Sequence, residues 1–209
     1  MQSAAKHNGA PLVALLAGAC MAFALLPESF NQWLALDREA IRHGEWWRLW
    51  TAHLAHFSPQ HAAIDALVCF IAGGIVEKRM GSRWIAWALA GIGPLISIGL
   101  LLWSPDLVQY RGLSGVAMAL TVVAMISIAR EYPAYRLAVA LLAVVLAVKV
   151  VGEALEISIG FAGLPDGVLV EWRAHVLGAL VGVAFSCGEI SLPNSIRLSP
   201  TLAPRKRRA

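Results

Sequence analysis

LAVALLAVVLAVKVVG, residues Leu137 to Gly152, carries a single charged side chain, Lys149. It does not alternate polar and apolar residues, as a barrel strand would. Its length approaches the roughly 20 residues a helix needs to cross a bilayer. Five other runs bounded by Pro, Gly or charge read the same way: Pro11 to Leu26, His61 to Val76, Trp84 to Trp103, Ser114 to Ala129 and Trp172 to Cys187. Several are short, so tilt and buried polar ends are expected. A chain of 209 residues that is 58% hydrophobic and 14% charged has more apolar surface than a soluble domain of that size can bury. The sequence therefore predicts an all-α polytopic membrane protein with six transmembrane helices.

Lys and Arg set the orientation. Lys6, the loop with Lys78, Arg79 and Arg83, the loop with Arg130 and Arg136, and the tail Arg205-Lys206-Arg207-Arg208 fall on one side. That side is expected to be cytoplasmic, with both termini on it. The opposite side receives residues Pro27 to Gln60, Ser104 to Leu113 and Ile157 to Glu171, which hold fewer bases and several acids. The net charge of +4 is thus a topology signal. Nucleic acid is not an expected partner, because no basic soluble face is evident and the tail suits a membrane surface. Lys149 lies late in the fifth span with Glu153 four residues on, so the two can pair near the outer boundary.

No internal repeat or long linker divides the chain. Residues 1–209 read as one membrane domain with a basic tail over about 193–209. The amphipathic stretch Gly44 to Trp50 reads as an interfacial helix, its tryptophans at headgroup level and Arg48 paired or snorkelling. Cys20, Cys69 and Cys187 lie in apolar runs and read as packing residues. Leu15 to Cys20 approaches a lipoprotein signal, but the leucine is one place too far from the cysteine. The first run is expected to be an uncleaved span.

Polar groups are costly in a span, so those present are functional candidates. Arg111-Gly112-Leu113-Ser114-Gly115 opens the fourth span and Trp172-Arg173-Ala174-His175 opens the sixth, both from the outer side and at similar depth. A serine hydroxyl becomes a useful nucleophile when a neutral imidazole removes its proton during attack. Gly178 and Gly182 continue the His175 face as a small-residue stripe, and Gly115 and Ala117 leave room beside Ser114, so these two helices can approach closely. Singly, each motif also has an ordinary reading: span serines often bond their own backbone, and a lone His often pairs with a neighbour.

A third cluster holds His53, His56, His61 and Asp65, the last two sharing a helix face at the start of the second span. A metal site is disfavoured, since the Glu of a His-Glu-x-x-His pattern is absent and no other ligand set is regular. An oxyanion region is a second reading. A buried hydrogen-bond network anchoring the external segment is the third, and the favoured one for His53 and His56 individually.

Taken together, the ordered motifs resemble the rhomboid intramembrane proteases. The match uses Trp47-Arg48, His56-Phe57-Ser58 followed by His61, the Gly73-Gly74 to Glu77-Lys78-Arg79-Met80-Gly81-Ser82 junction, Gly112-Leu113-Ser114-Gly115, and Ala174-His175 with Gly178 and Gly182. The resemblance implies a six-helix rhomboid-like bundle in which Ser114 is the nucleophile and His175 the general base. It also implies that His61 and the Ser114 backbone N–H form the oxyanion hole, with Gly112 and Gly115 supporting it. Glu77 and Arg79 would be structural, and no cofactor or metal would be needed. The chain departs from the family's His-x-x-x-Asn pattern, since Asp65 stands in the Asn place, and His53 falls one residue off the usual spacing. Asp65 is then protonated, or orients His61, or lies away from the oxyanion.

Tyr110-Arg111-Gly112-Leu113-Ser114-Gly115 further resembles the rhombosortase branch. That implies bacterial inner-membrane placement with the site open to the periplasm. The implied partners are surface proteins ending in Gly-Gly, one hydrophobic span and a basic cluster. Two rival functions remain: a non-catalytic relative that binds transmembrane segments, suggested by Asp65, and a small transporter with a proton path through His61, Asp65 and His175. The retained Ser114 and His175 speak against the first, and the lack of a visible repeat offers the second no support.

Overall fold

The computed structural model describes residues 10–157, 164, 165, 168 and 170–188. Lys6, the basic tail over about 193–209 and much of the loop from Ile157 to Glu171 lie outside the described residues.

Helix α1 (Pro11–Ala24) starts on a proline, which loses nothing by lacking an N–H in the first turn. Its next two amides find a partner far along the chain: Leu12 N and Val13 N donate to the two carboxylate oxygens of Glu77 at 3.2 and 3.1 Å. An anion at a helix N-terminus satisfies orphan donors and opposes the dipole. Glu77 is 2% exposed and also accepts from Ser82 Oγ at 2.6 Å. The structural role expected for Glu77 is thus visible.

The segment over residues 27–58 is a set of short elements: α2 (Glu28–Leu34), β1 (Leu36–Asp37), α3 (Arg38–Arg42) and α4 (Arg48–Thr51). Asp37 caps α3 by accepting from Ala40 N at 2.9 Å. Arg48 organises the segment from inside: its Nη1 donates to the carbonyls of Gln32 and Ala35 at 3.0 and 2.8 Å, and its Nε to Glu45 at 2.6 Å. The expected interfacial helix over Gly44 to Trp50 is therefore replaced by a turn and the four-residue α4. Gly44 has φ +99°, where a helix cannot run, and Arg48 is buried against loop carbonyls rather than reaching headgroups. The tryptophans do remain exposed.

Among the described residues four helices are long and apolar enough to cross a membrane: α5 (Pro59–Met80), α6 (Ser82–Trp103), α7 (Ser114–Glu131), and α8 (Arg136–Ala154) with the 3-10 turn at Pro133–Tyr135 that leads into it. Two shorter apolar helices are α1 and α9 (Trp172–Gly188). Helix α5 begins at Pro59, two residues before the sequence-based start, because Ser58 caps it through His61 N at 3.0 Å. Pro94 lies inside α6 and deprives the Ala90 carbonyl of its i+4 donor. The Trp50 indole N–H takes that place at 2.9 Å, joining the segment over residues 27–58 to α6.

Helix α7 is the hub, packed between α5, α6 and α9 and buried from Gly115 to Leu120 and from Val123 to Met125. Helix α8 has no buried residue and presents Leu137, Leu141, Val144, Val148 and Val151 outward. A helix apolar on most faces, with its Lys149 and Glu153 near one end and so little protein cover, suits lipid over most of its surface. Strand β2 (Gln109–Tyr110) pairs antiparallel with β1, Leu36 opposite Tyr110, and so fixes the chain that leads into α7. Cys20 and Cys69 are buried as expected of packing residues, whereas Cys187 is exposed near the end of α9.

Candidate functional site

Ser114 is the first residue of α7, and the loop before it is held at almost every polar backbone atom. Gly112 N donates to Ala52 O at 3.0 Å, the Tyr110 hydroxyl donates to Gly112 O at 2.9 Å, and Leu113 N donates to His56 Nε2 at 3.4 Å. Gly112 has φ +139°, and a Cβ there would stand 3.2 Å from the His61 ring and 3.3 Å from Asp65 Oδ2. Both its conformation and its neighbours therefore demand glycine. The first helical bond of α7 runs from Ala117 N to Leu113 O at 2.9 Å, which leaves the Ser114 and Gly115 amides without a partner inside the helix.

His175 lies in the first turn of α9 and is 4% exposed. Helices α7 and α9 meet backbone to backbone beside it. A Cβ on Gly178 would overlap the Gly115 carbonyl, one on Gly115 would stand 3.0 Å from Ala174 O, and one on Gly182 would stand 2.6 Å from Ala119 O. The residues adjoining Ser114 and His175 in sequence, Gly115 and Ala174, are thus direct neighbours in space. Ser114, His175, His61, Asp65, Tyr110 and Glu153 line one cavity of about 840 Å³. Among the described residues no hydrogen bond joins Ser114 directly to His175. Instead His175 Nδ1 meets Glu153 Oε2 of α8 at 2.7 Å.

The third cluster separates into two parts. His53 is 4% exposed, with Nε2 2.9 Å from Gly93 O and Nδ1 3.3 Å from Gly112 O, and so ties the segment over residues 27–58 to α6 and to the loop before Ser114. Burial pushes its pKa down to about 4, against the partial opposition of those two carbonyls. This is the anchoring network anticipated for it. His56 differs: besides accepting from Leu113 N, its Nε2 stands 3.4 Å from Asp65 Oδ2. His61 Nε2 stands at the same 3.4 Å from that oxygen, while His61 Nδ1 has no hydrogen-bond partner. Asp65 is therefore flanked by two imidazoles, and the His61 ring beside it lines the cavity.

Burial also raises the pKa of Tyr110, so its phenol stays neutral beside Ser114 and Gly115. Arg111 is 4% exposed, pairs with Glu28 at 2.8 Å and lies over the Phe57 ring at 4.8 Å, bracing the loop that leads into α7.

Glu153 is the site residue that sequence reasoning missed. The pairing of Lys149 with Glu153 was legible from their spacing and is present. That the other carboxylate oxygen faces His175 depends on how α8 lies against α9, on which helical spacing within α8 is silent. An acid near the outer end of a span was the available signal.

Residues 43–191, well over half of the chain, match the family described as the Rhomboid domain. The chain is also similar to two curated proteins, each named rhomboid protease GlpG and each from a strain of Klebsiella pneumoniae. In both cases the identity is 30% over 120 residues, which is 55% of this chain and 43% of the relative. The chain thus spans less than half the length of the curated relatives it matches.

Proposed function

This chain belongs to the rhomboid family, and we propose that it is an intramembrane serine endopeptidase with Ser114 as nucleophile and His175 as general base. The observation that carries this reading is the shared cavity: Ser114 and His175 line it from two helices in backbone contact at Gly115 and Gly178. Ser114 Oγ attacks the scissile carbonyl carbon while its proton passes to His175. The tetrahedral intermediate collapses as the C–N bond breaks and that proton goes to the leaving amine. Water then attacks the acyl-enzyme, His175 takes its proton, and Ser114 recovers it as the acid product leaves.

The Ser114 amide, which has no partner inside α7, is the donor available for the oxyanion, and His61 lines the same cavity. Of the three roles open to Asp65, its place 3.4 Å from His61 supports orientation of that ring. A helical peptide bond hides its carbonyl, so the substrate's span unwinds locally, near the outer ends of α5 and α8. Small residues in the substrate favour this.

We read the whole chain as one domain of six spans, with α1 and α9 as short spans whose ends are met by buried polar groups such as Glu77. Arg79 pairs with Glu131, and Arg130 Nη1 donates to Ser186 O at 3.1 Å, so the basic ends of α5 and α7 gather at the end of the bundle away from Ser114. This supports a cytoplasmic face there and a site open to the periplasmic side of a bacterial inner membrane. The loop Tyr110 to Gly115 supports the rhombosortase branch. Its substrates would be surface proteins with a terminal Gly-Gly, one hydrophobic span and a basic cluster.

The test is cleavage, in liposomes, of a tagged reporter with that tail alongside other single-span reporters. Cutting of the Gly-Gly reporter supports the branch. Cutting of the others alone retains the peptidase and removes the branch. Binding of spans with no cutting of any reporter would establish the non-catalytic alternative.

A further inference from the structure

The polar partner of His175 comes from α8, a helix with no buried residue and little contact with the bundle. Glu153 Oε2 stands 2.7 Å from His175 Nδ1, and Lys149 Nζ, one turn back on α8, holds the other oxygen. The His175 side chain is 5% exposed and that of Glu153 13%, so water screens this contact little. A carboxylate held by an ammonium offers acceptor oxygens only. The Nδ1 nitrogen must therefore carry the hydrogen of that bond, which leaves Nε2 with its lone pair.

We infer that Glu153 is a positioning residue for His175, completing a Ser114–His175–Glu153 relay across α7, α9 and α8. This rests on the reading of Ser114 and His175 as nucleophile and base. Glu153 does three things in that arrangement. It fixes the tautomer, so that the nitrogen able to accept the Ser114 proton is Nε2. It holds the ring against rotation. It also places a negative charge beside the imidazolium that forms when Ser114 attacks, without itself taking the proton. The proton travels only from Ser114 Oγ to His175 Nε2 and on to the leaving amine.

A merely structural reading is available, in which the contact tethers the loosely packed α8. The two readings differ in what Glu153→Gln does. The glutamine is nearly isosteric, but its amide N–H₂ donates to Nδ1 and favours the opposite tautomer, in which Nε2 carries hydrogen. Positioning predicts that kcat for a single-span reporter falls about a hundredfold or more, with KM and thermal unfolding little changed. Glu153→Asp, which keeps the carboxylate one methylene shorter, recovers part of that loss. Tethering predicts reduced thermal stability, and loss in proportion to it in both variants.

The wild-type protein supplies a second measurement that does not depend on how a variant folds. Histidine-selective ¹⁵N NMR should show His175, identified by the resonance lost in His175→Ala, as the Nδ1–H tautomer. An Nε2–H tautomer there, or a Glu153→Gln kcat within about threefold of wild type, overturns the inference. If cutting survives Ser114→Ala, the assignment of nucleophile and base fails first and this inference falls with it. If Ser114→Ala abolishes cutting and Glu153→Gln does not slow it, the inference alone fails.

Discussion

Gly178 of α9 lies so close to Gly115 of α7 that a single methyl group on it would overlap the Gly115 carbonyl oxygen. The contact is backbone against backbone, so no flexible side chain can yield. Gly178→Val must push the two helices apart, and overpacking of this kind costs about 1–3 kcal/mol. Because Ser114 and His175 adjoin this contact, a displacement of about 1 Å is also expected to lower turnover by about a hundredfold. Thermal unfolding in detergent and reporter turnover in liposomes check the two effects together; a Gly178→Val protein unchanged in both would mean that the helices do not meet there.

Glu77 is the acceptor for two amides at the start of α1 although it lies in α5. Glu77→Ala leaves Leu12 N and Val13 N facing a buried gap, at a cost of about 1–3 kcal/mol for each unsatisfied donor. Amide hydrogen exchange at Leu12 and Val13 is expected to speed up by at least tenfold, well beyond any change in the middle of α7. Equal acceleration in both places would mean global destabilisation, not release of α1.

Asp65 is expected to act through His61, whose Nε2 it faces at 3.4 Å. Asp65→Asn keeps an acceptor there and should remain within about tenfold of the wild-type kcat, whereas Asp65→Ala should lose about a hundredfold. Full activity in Asp65→Ala would place Asp65 outside the oxyanion arrangement.

The chain's reading from sequence succeeded where one helix face or one short pattern carries the information. The Lys149 to Glu153 pairing and the small-residue stripe at Gly178 and Gly182 are local patterns that the structure realises, and the apolar runs form helices, four of them long enough among the described residues to cross a membrane. It fell short where partners lie far apart in the chain. Nothing near Arg48 announces that its guanidinium gathers the carbonyls of Gln32 and Ala35, so Gly44 to Trp50 looked like an interfacial helix. Nothing near Glu153 announces His175, and the stand-in donor from Trp50 to the carbonyl freed by Pro94 is likewise a tertiary event. The candidate site residues stand out as a group because ionisable side chains in apolar runs are conspicuous. Their mutual geometry does not, because it depends on the packing of α5, α7, α8 and α9.

His53 gives the fold a pH dependence. Its pKa is lowered from 6.5 to about 4 by burial, so the folded protein holds it neutral while the unfolded chain protonates it near its ordinary value. Its contribution is complete above about pH 6.5 and is lost as pH falls towards 4, by up to about 3 kcal/mol. Chemical unfolding followed between pH 7 and pH 4 should show this decline, and His53→Gln should flatten it. A variant with the same decline as wild type would assign the effect to other groups.

The central claim is that Ser114 is a nucleophile activated by His175, and covalent labelling with a fluorophosphonate tests it most directly. Phosphonylation of the wild-type protein should map to Ser114 by mass spectrometry, vanish in Ser114→Ala, and slow by at least a hundredfold in His175→Ala. Labelling of another serine, or labelling of Ser114 at the same rate without His175, would contradict the account.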